Sequence, residues 1–240
     1  IMEGTASDID DAFFRTLVQH LAAALGVRCA FVSELTHERT RVRTLAFWHG
    51  DGYLDNYEFD LAGTPCEPVL QGQMRHYAHG VQDAFPRVRD GLAALGVQSY
   101  LAIPMTDPSG EVLGHLSVMD IKPMPLADVD LWIFRTFGAR AGAELARKQA
   151  ALRLSESEQR LVRMFESAMD AIVTIDERQR VTLFNQAAAQ VFRCDAAFAL
   201  GQPFERFMSD RFRVLLHNAI QEFERSGWAG HFLWAEGLTA

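Results

Sequence analysis

Cysteine is scarce in this chain of 240 residues, and its scarcity excludes whole classes of protein. The three cysteines, Cys29, Cys66 and Cys194, are odd in number and far apart. They form neither a metal-ligand spacing nor a disulfide framework. Long apolar runs are missing as well. The stretch Phe13–Leu25 is interrupted by Arg15, Gln19 and His20, so nothing approaches the ~20 apolar residues that a membrane span needs. No basic start leads into an apolar core and a small-residue cleavage site, which argues against an export signal. Positive charge is in deficit, 23 Lys and Arg against 31 Asp and Glu, for a net charge of -8. That is the wrong sign for a general affinity for nucleic acid. There is no phosphate-cradling glycine loop, no nucleophile elbow and no paired metal site. The sequence therefore gives no support for catalysis. It points to a cytoplasmic chain with neither a membrane nor a nucleic acid as partner.

What is present is an ordinary globular balance, 49% hydrophobic and 22% charged, with apolar material for one or two domains. Phe13, Phe14, Leu17, Val18, Leu21 and Leu25 recur at helical spacing before Gly26, which predicts a helix over Asp8–Leu25. Val27–Leu35 and Arg41–His49 read as strands, the second broken by Gly50-Asp51-Gly52. A loop carrying Tyr53, Tyr57 and Phe59 follows. A short helix is expected over Thr64–Gln71, a short strand over Arg75–His79, and a helix over Pro86–Leu95. Ser99–Met105 and Glu111–Met119 are strands joined by Asp107-Pro108-Ser109-Gly110, which is hairpin chemistry. From Leu126 to Met169 the pattern is helical throughout. Its three-four repeat runs from Leu131 and Phe134 through Leu145 to Leu152 and Val162, apolar early and polar late, so it is a weak coiled coil at best. Beyond it, strands are expected at Ala171–Ile175 and Arg180–Phe184. Helices follow at Asn185–Phe192, Pro203–Met208 and Arg211–Arg225, and another strand starts at Gly230–Trp234.

Two segments carry a family likeness. Gly63-Thr64-Pro65-Cys66-Glu67-Pro68-Val69-Leu70, then Phe85-Pro86, then Gly96 to Pro104, then Gly110 and Gly114-His115-Leu116-Ser117-Val118-Met119-Asp120 together resemble a bacterial GAF domain. The likeness covers residues 8–147. Ala168 to Asp176, then Val181-Thr182-Leu183-Phe184-Asn185-Gln186-Ala187-Ala188, then Leu200-Gly201-Gln202-Pro203-Phe204 resemble the opening of a PAS domain. The resemblance implies an α+β fold: an antiparallel-sheet GAF domain over 1–147, a helical linker over 148–166, and a C-terminally incomplete antiparallel PAS domain over 167–240. In such proteins these domains sit upstream of histidine kinases, diguanylate cyclases or transcription activators. The implied function is a sensory module of bacterial signal transduction, of the two-component kind among others. A small ligand would bind between the sheet and the loops, at Phe31, Trp48, Tyr57, Cys66, Tyr100 and His115. A PAS pocket would draw on Phe184, Phe192 and Leu216. A homodimer is expected through the linker helix.

Thr64-Pro65-Cys66-Glu67 is the sharpest local signal. Thr64 can cap the helix, Pro65 suits its first position and Glu67 can reach back to the cap. That would put Cys66 in the first turn, where a thiolate is favoured, and make it titrate below Cys29. The alternative is a small apolar filler beneath an aromatic loop. The aromatic loop itself is either a lid over a pocket or a completion of the core. Among eight histidines, His76 and His79 face opposite sides of a strand and make a poor ligand pair. Haem-binding PAS domains take their ligand from the long helix. Here the equivalent position is Leu216, with His217 about 100° away around the helix, which argues against haem. Arg193-Cys194-Asp195 does not match the flavin-type Asn-Cys-Arg signature. No cofactor is required. Two alternatives remain: a thiol redox enzyme or switch of the GAF-type methionine sulfoxide reductase kind using Cys66, and a dimerisation module without a ligand. Because the last strands of a PAS domain are missing, residues after Arg225 are expected to be poorly held.

Overall fold

The computed structural model describes residues 3–208, with side chains from Ala12 onward except that of Asp128. Helix α1 (Glu3–Leu25) buries Phe14, Leu17, Val18, Leu21 and Ala22, one stripe at helical spacing. Strands β1 (Cys29–Leu35) and β2 (Arg41–His49) follow, then two short strands, β3 (Gly52–Leu54) and β4 (Glu58–Asp60). Both short strands pair with β2. The aromatic stretch after His49 is thus part of the sheet edge and not a free loop, because its backbone donors and acceptors find β2. Next come α2 (Glu67–Leu70), β5 (Arg75–Tyr77), α3 (Val81–Ala84), α4 (Arg89–Ala94), β6 (Ser99–Thr106) and β7 (Val112–Asp120). The helix expected over Pro86–Leu95 is split: Pro86–Val88 is a single 3-10 turn ahead of α4.

The strands form one antiparallel sheet in the order β3-β2-β1-β7-β6-β5. Both faces are covered, which explains why β1 and β7 are buried at consecutive positions and do not alternate. One face carries Ala30, Val32, Leu101, Ile103, Leu116 and Val118 against α1 and the first half of α5 (Leu131–Ser167). The other carries Cys29, Phe31, Phe47, Tyr100, Ala102 and Met119 beneath α2 and its neighbouring short elements.

Helix α5 is shorter at its start than the sequence suggests. Leu126–Asp128 is a separate 3-10 turn, and Asp130 then caps α5, its Oδ1 accepting from Trp132 N at 3.0 Å and Ile133 N at 3.1 Å. Such a cap satisfies amides that the first helical turn leaves without partners. Phe134, Gly138, Ala141, Gly142 and Leu145 bury the first half. Gly138 permits the close approach, since a Cβ there would lie 2.3 Å from Ile103 Cδ1. From Ala150 to Met164 every residue of α5 is exposed.

The chain divides into two compact units between Leu152 and Arg153. In the second, β8 (Val173–Ile175) pairs with β9 (Val181–Phe184). Helices α6 (Gln186–Phe192) and α7 (Ala196–Ala199) follow, then a 3-10 turn at Phe204–Phe207. Val181, Phe184, Ala188 and Ala199 make the core. Asn185 is buried and fully used. Its Oδ1 caps α6 through Ala188 N and accepts from Ile172 N, and its Nδ2 donates to Phe165 O and Asp170 O. The end of α5 is thereby tied to the start of α6. The expected Arg211–Arg225 helix, the Gly230–Trp234 strand, Leu216 and His217 lie outside the described residues. No helix among the described residues is long and apolar enough to cross a membrane.

Candidate functional site

The site is built where β1 and β7 come unusually close. The β1–β2 register shifts between Val32 and Ser33, leaving Leu45 of β2 as the extra residue, and on the other side of β1 Gly114 of β7 lies against Ser33. A Cβ at Gly114 would stand 2.0 Å from Ser33 O, so only glycine allows this register. The next residue, His115, is then opposite Ser33, and both side chains turn to the face covered by α2. Ser33 Oγ and His115 Nδ1 are 2.6 Å apart. Phe31 meets the imidazole edge-to-face at 5.2 Å and stacks on Phe47 at 5.1 Å. Tyr57 continues the series at 6.5 Å from Phe47. On β6 and β7, Ser117 Oγ donates to Tyr100 Oη at 3.2 Å, and the Tyr100 hydroxyl donates to Cys66 Sγ at 3.4 Å.

Burial governs the chemistry of this face. His115 has no solvent exposure, and desolvation of its charged form pushes the imidazole down to about 3. Its Nε2 has no partner among the described residues. An orphaned buried donor or acceptor costs ~1–3 kcal/mol. The Cys66 thiol is pushed up to about 12 by burial, against the opposing pull of its hydrogen bonds from Tyr100 and Thr64. Tyr100 is raised well above the usual phenol range by burial and by its neighbour Cys66. Cys29 is also raised to about 12, again by burial.

These facts correct the expectation for Cys66. Helix α2 begins at Glu67, and Cys66 is the residue before it. Thr64 does not cap: its hydroxyl donates to Leu61 O at 2.7 Å, and Glu67 instead accepts from Gly63 N at 2.9 Å. A single helical turn offers little dipole, and complete burial outweighs it. Cys66 is a buried thiol in the core, raised by burial to about 12 as Cys29 is, so nothing favours its thiolate over that of Cys29.

The structure brings Phe31, Tyr57, Cys66, Tyr100 and His115 to one face but leaves Trp48 on the other. Phe47 is opposite Phe31, so strand alternation sends the next residue across the sheet. Trp48 packs with Tyr53 at 5.0 Å among the residues under α1. Sequence reasoning missed Ser33, Phe47 and Ser117, although the alternation Cys29, Phe31, Ser33 along β1 already put Ser33 beside Phe31. His76 is structural, with Nε2 2.7 Å from Met124 O. Among the described residues no group of three or more His, Cys, Asp or Glu could hold a metal. The Ser33–His115 pair is not a nucleophile and base at work. Burial lowers the basicity of the imidazole, no carboxylate among the described residues orients it, and both groups are sealed from solvent.

In the second unit Phe184 and Phe192 lie 5.7 Å apart, with Phe204 and Phe207 closing a ring cluster. An open depression of about 430 Å³ lies elsewhere, along Gln186, Gln190, Arg193 and Asp195 on the outer side of α6.

The GAF domain family model matches residues 11–145, the stretch that holds this sheet and its two covered faces. The chain belongs to the GAF family. A model of the PAS fold matches residues 159–227, so a PAS segment follows the GAF domain, and both are sensory domains. No curated protein matches the chain. Among solved structures, the GAF domain of PixJ from Thermosynechococcus elongatus in its blue-light absorbing form is similar, at a TM-score of 0.51 and 16% identity. That match covers 65% of this chain and 96% of that one. The GAF domain of a phosphoenolpyruvate-protein phosphotransferase from Acinetobacter aligns at a TM-score of 0.46 and 15% identity, over 60% of this chain and 86% of that one. At such identities the likeness is one of fold. In this GAF domain the face beneath α2, with its polar row Ser33, His115, Ser117 and Tyr100, is the candidate site.

Proposed function

We propose that the chain is the sensory part of a signal-transduction protein: a small molecule binds under α2 in the GAF domain, and α5 carries its effect to an output domain. One observation carries the reading. The inner face of the sheet holds buried polar side chains, among them Ser33, Thr44, His115, Ser117 and Tyr100, where an inert core would hold aliphatic ones. Ser33, Ser117 and Tyr100 are partnered, but His115 keeps a buried Nε2 without a partner among the described residues, a cost to stability that a bound molecule would relieve. Helix α5 is suited to transmission: its first half is locked into the GAF core, and it continues unbroken to Ser167, two residues past the carbonyl that Asn185 binds. The exposed second half is best covered by the same helix of a second chain in a two-fold dimer, an arrangement supported by exposed Leu152 and Val162 on the three-four repeat.

Screening the full chain against a metabolite extract tests this. A genuine ligand raises the melting temperature, as binding to the folded state requires, and changes amide exchange within α5. A stabilising ligand that leaves α5 exchange untouched removes the transmission step. If no ligand is found and no small molecule is released on denaturation, the ligand-free dimerisation module becomes the better reading.

A further inference from the structure

The imidazole of His115 fixes what kind of ligand this site can take. Neutral imidazole carries one N–H. If that hydrogen were on Nδ1, it would donate to Ser33 Oγ. The Ser33 hydroxyl proton and the Nε2 lone pair would then both lack partners, since the hydroxyl has no other hydrogen-bond partner among the described residues. If it is on Nε2, the Ser33 hydroxyl donates to Nδ1, and only the Nε2–H is unpartnered. The second tautomer leaves one orphan where the first leaves two. His115 therefore presents a donor, buried and aimed away from Ser33, on the face closed by α2.

Charge and shape narrow the choice. Among the described residues the only buried charged side chain is Asp120, whose Oδ1 is taken by Ile121 N at 2.7 Å. Among the described residues no cation is fully buried beside His115: the half-buried Arg75, whose Nε lacks a partner, stands two strands away on β5, and an unpaired buried charge is costly. Phe31 lies beside the imidazole, and Phe31, Phe47 and Tyr57 form a series of rings tilted by less than 30° from one to the next, a surface suited to a flat molecule. Helix α2 lies against β6 and β7, and positive-φ glycines, Gly63 and Gly72, stand on either side of it.

We propose that the GAF ligand is a small, uncharged, planar molecule that offers an acceptor, a carbonyl oxygen or a ring nitrogen, to the Nε2–H of His115. This rests on the binding site argued above and adds the chemical class.

The test uses the full chain, labelled with nitrogen-15, and three probes of similar size: benzamide, toluene and benzoate. Long-range proton–nitrogen spectra are expected to show the Nε2–H tautomer. Benzamide should shift the Nε2 proton saturably at millimolar concentration and bind about tenfold tighter than toluene, the worth of one good hydrogen bond. Benzoate should not compete. His115→Asn, which keeps a donor, should retain the preference for benzamide, and His115→Leu should lose it. Should His115→Leu fail to fold, Ser33→Ala decides the matter, since freeing Nδ1 admits the other tautomer and should weaken the preference. An Nδ1–H tautomer overturns the proposal. So does tighter binding of benzoate, a buried water at Nε2 that no probe displaces, or a haem spectrum that disappears in His115→Leu. Equal binding of toluene and benzamide leaves the site standing and removes the ligand class. Failure of all three probes to bind removes the site as well.

Discussion

A histidine sealed from water, with a single neutral partner, resists protonation while the protein is folded. The His115 imidazole is held to about 3 by burial, against ~6.5 in an unfolded chain. Between those values the unfolded state takes up a proton that the folded state refuses, so stability falls as pH drops from ~6.5 toward ~3. The loss can reach several kcal/mol, at ~1.4 kcal/mol per pH unit. The neighbouring titratable groups, Cys66 and Tyr100, are pushed upward and stay neutral throughout this window. Melting temperatures of the wild type and His115→Asn, measured from pH 7 to pH 4, should therefore diverge, with the variant giving the flatter acid limb. Parallel limbs would show that His115 is not buried as described. The cysteines give a second test at this scale. Cys29 and Cys66 are both buried and both raised to about 12, while Cys194 is partly exposed. Iodoacetamide at mildly alkaline pH should modify Cys194 readily and reach the other two only as fast as the domain opens. Rapid labelling of Cys66 in the folded protein would restore the redox switch.

Elements are set by close approaches as much as by propensity. Gly114 sits where β7 touches β1, and the obstacle to a Cβ there is backbone, not a movable side chain. Gly114→Ala should cost ~3 kcal/mol or more, in the range reserved for strain and lost packing, and should separate Ser33 from His115. Gly91 in α4 is the control: a Cβ there meets nothing within 4 Å, and alanine in a helix is favoured over glycine by ~1 kcal/mol. Gly91→Ala should leave stability unchanged or raise it. Chemical denaturation of both variants checks the pair, and equal effects would contradict the register of β1 and β7. The sequence showed Gly114 as part of a family motif. It could not show that the residue is there to admit Ser33 O, because that contact joins positions some 80 apart along the chain.

At the scale of the molecule, the second half of α5 is a long stretch without cover from the described residues. Leu161 and Met164, at 64% and 63% exposure, lie in a stretch where every residue from Ala150 to Met164 faces solvent. A bare helix of four turns is marginal in water. Trypsin should therefore cut at Arg153, Arg160 and Arg163 in dilute protein. If a second copy covers this stretch, the cuts should fade as concentration rises, and Leu152→Glu with Val162→Glu should restore them while sedimentation reports a monomer. Cleavage that is independent of concentration would remove the dimer.

Much of this was legible from residue order. The individual strands and the long helix follow from local periodicity and turn chemistry, which act between neighbours in the chain, while the GAF and PAS segments, the antiparallel sheet and the candidate residues beneath α2 come from the motifs that resemble those families. Asn185 reads as the first residue of a helix, and the structure makes it the cap instead. The sequence could not assign Trp48 to the far face, withdraw the thiolate from Cys66 or isolate Nε2 of His115. Each depends on what lies across the sheet or on top of it. The close approach of Gly114 to Ser33 sets which residue stands opposite His115. Burial by α2 overrides the pull of a helix end, and a hydroxyl on another strand selects the tautomer of a histidine. Those are long-range contacts and desolvation, and they exist only once the chain has folded.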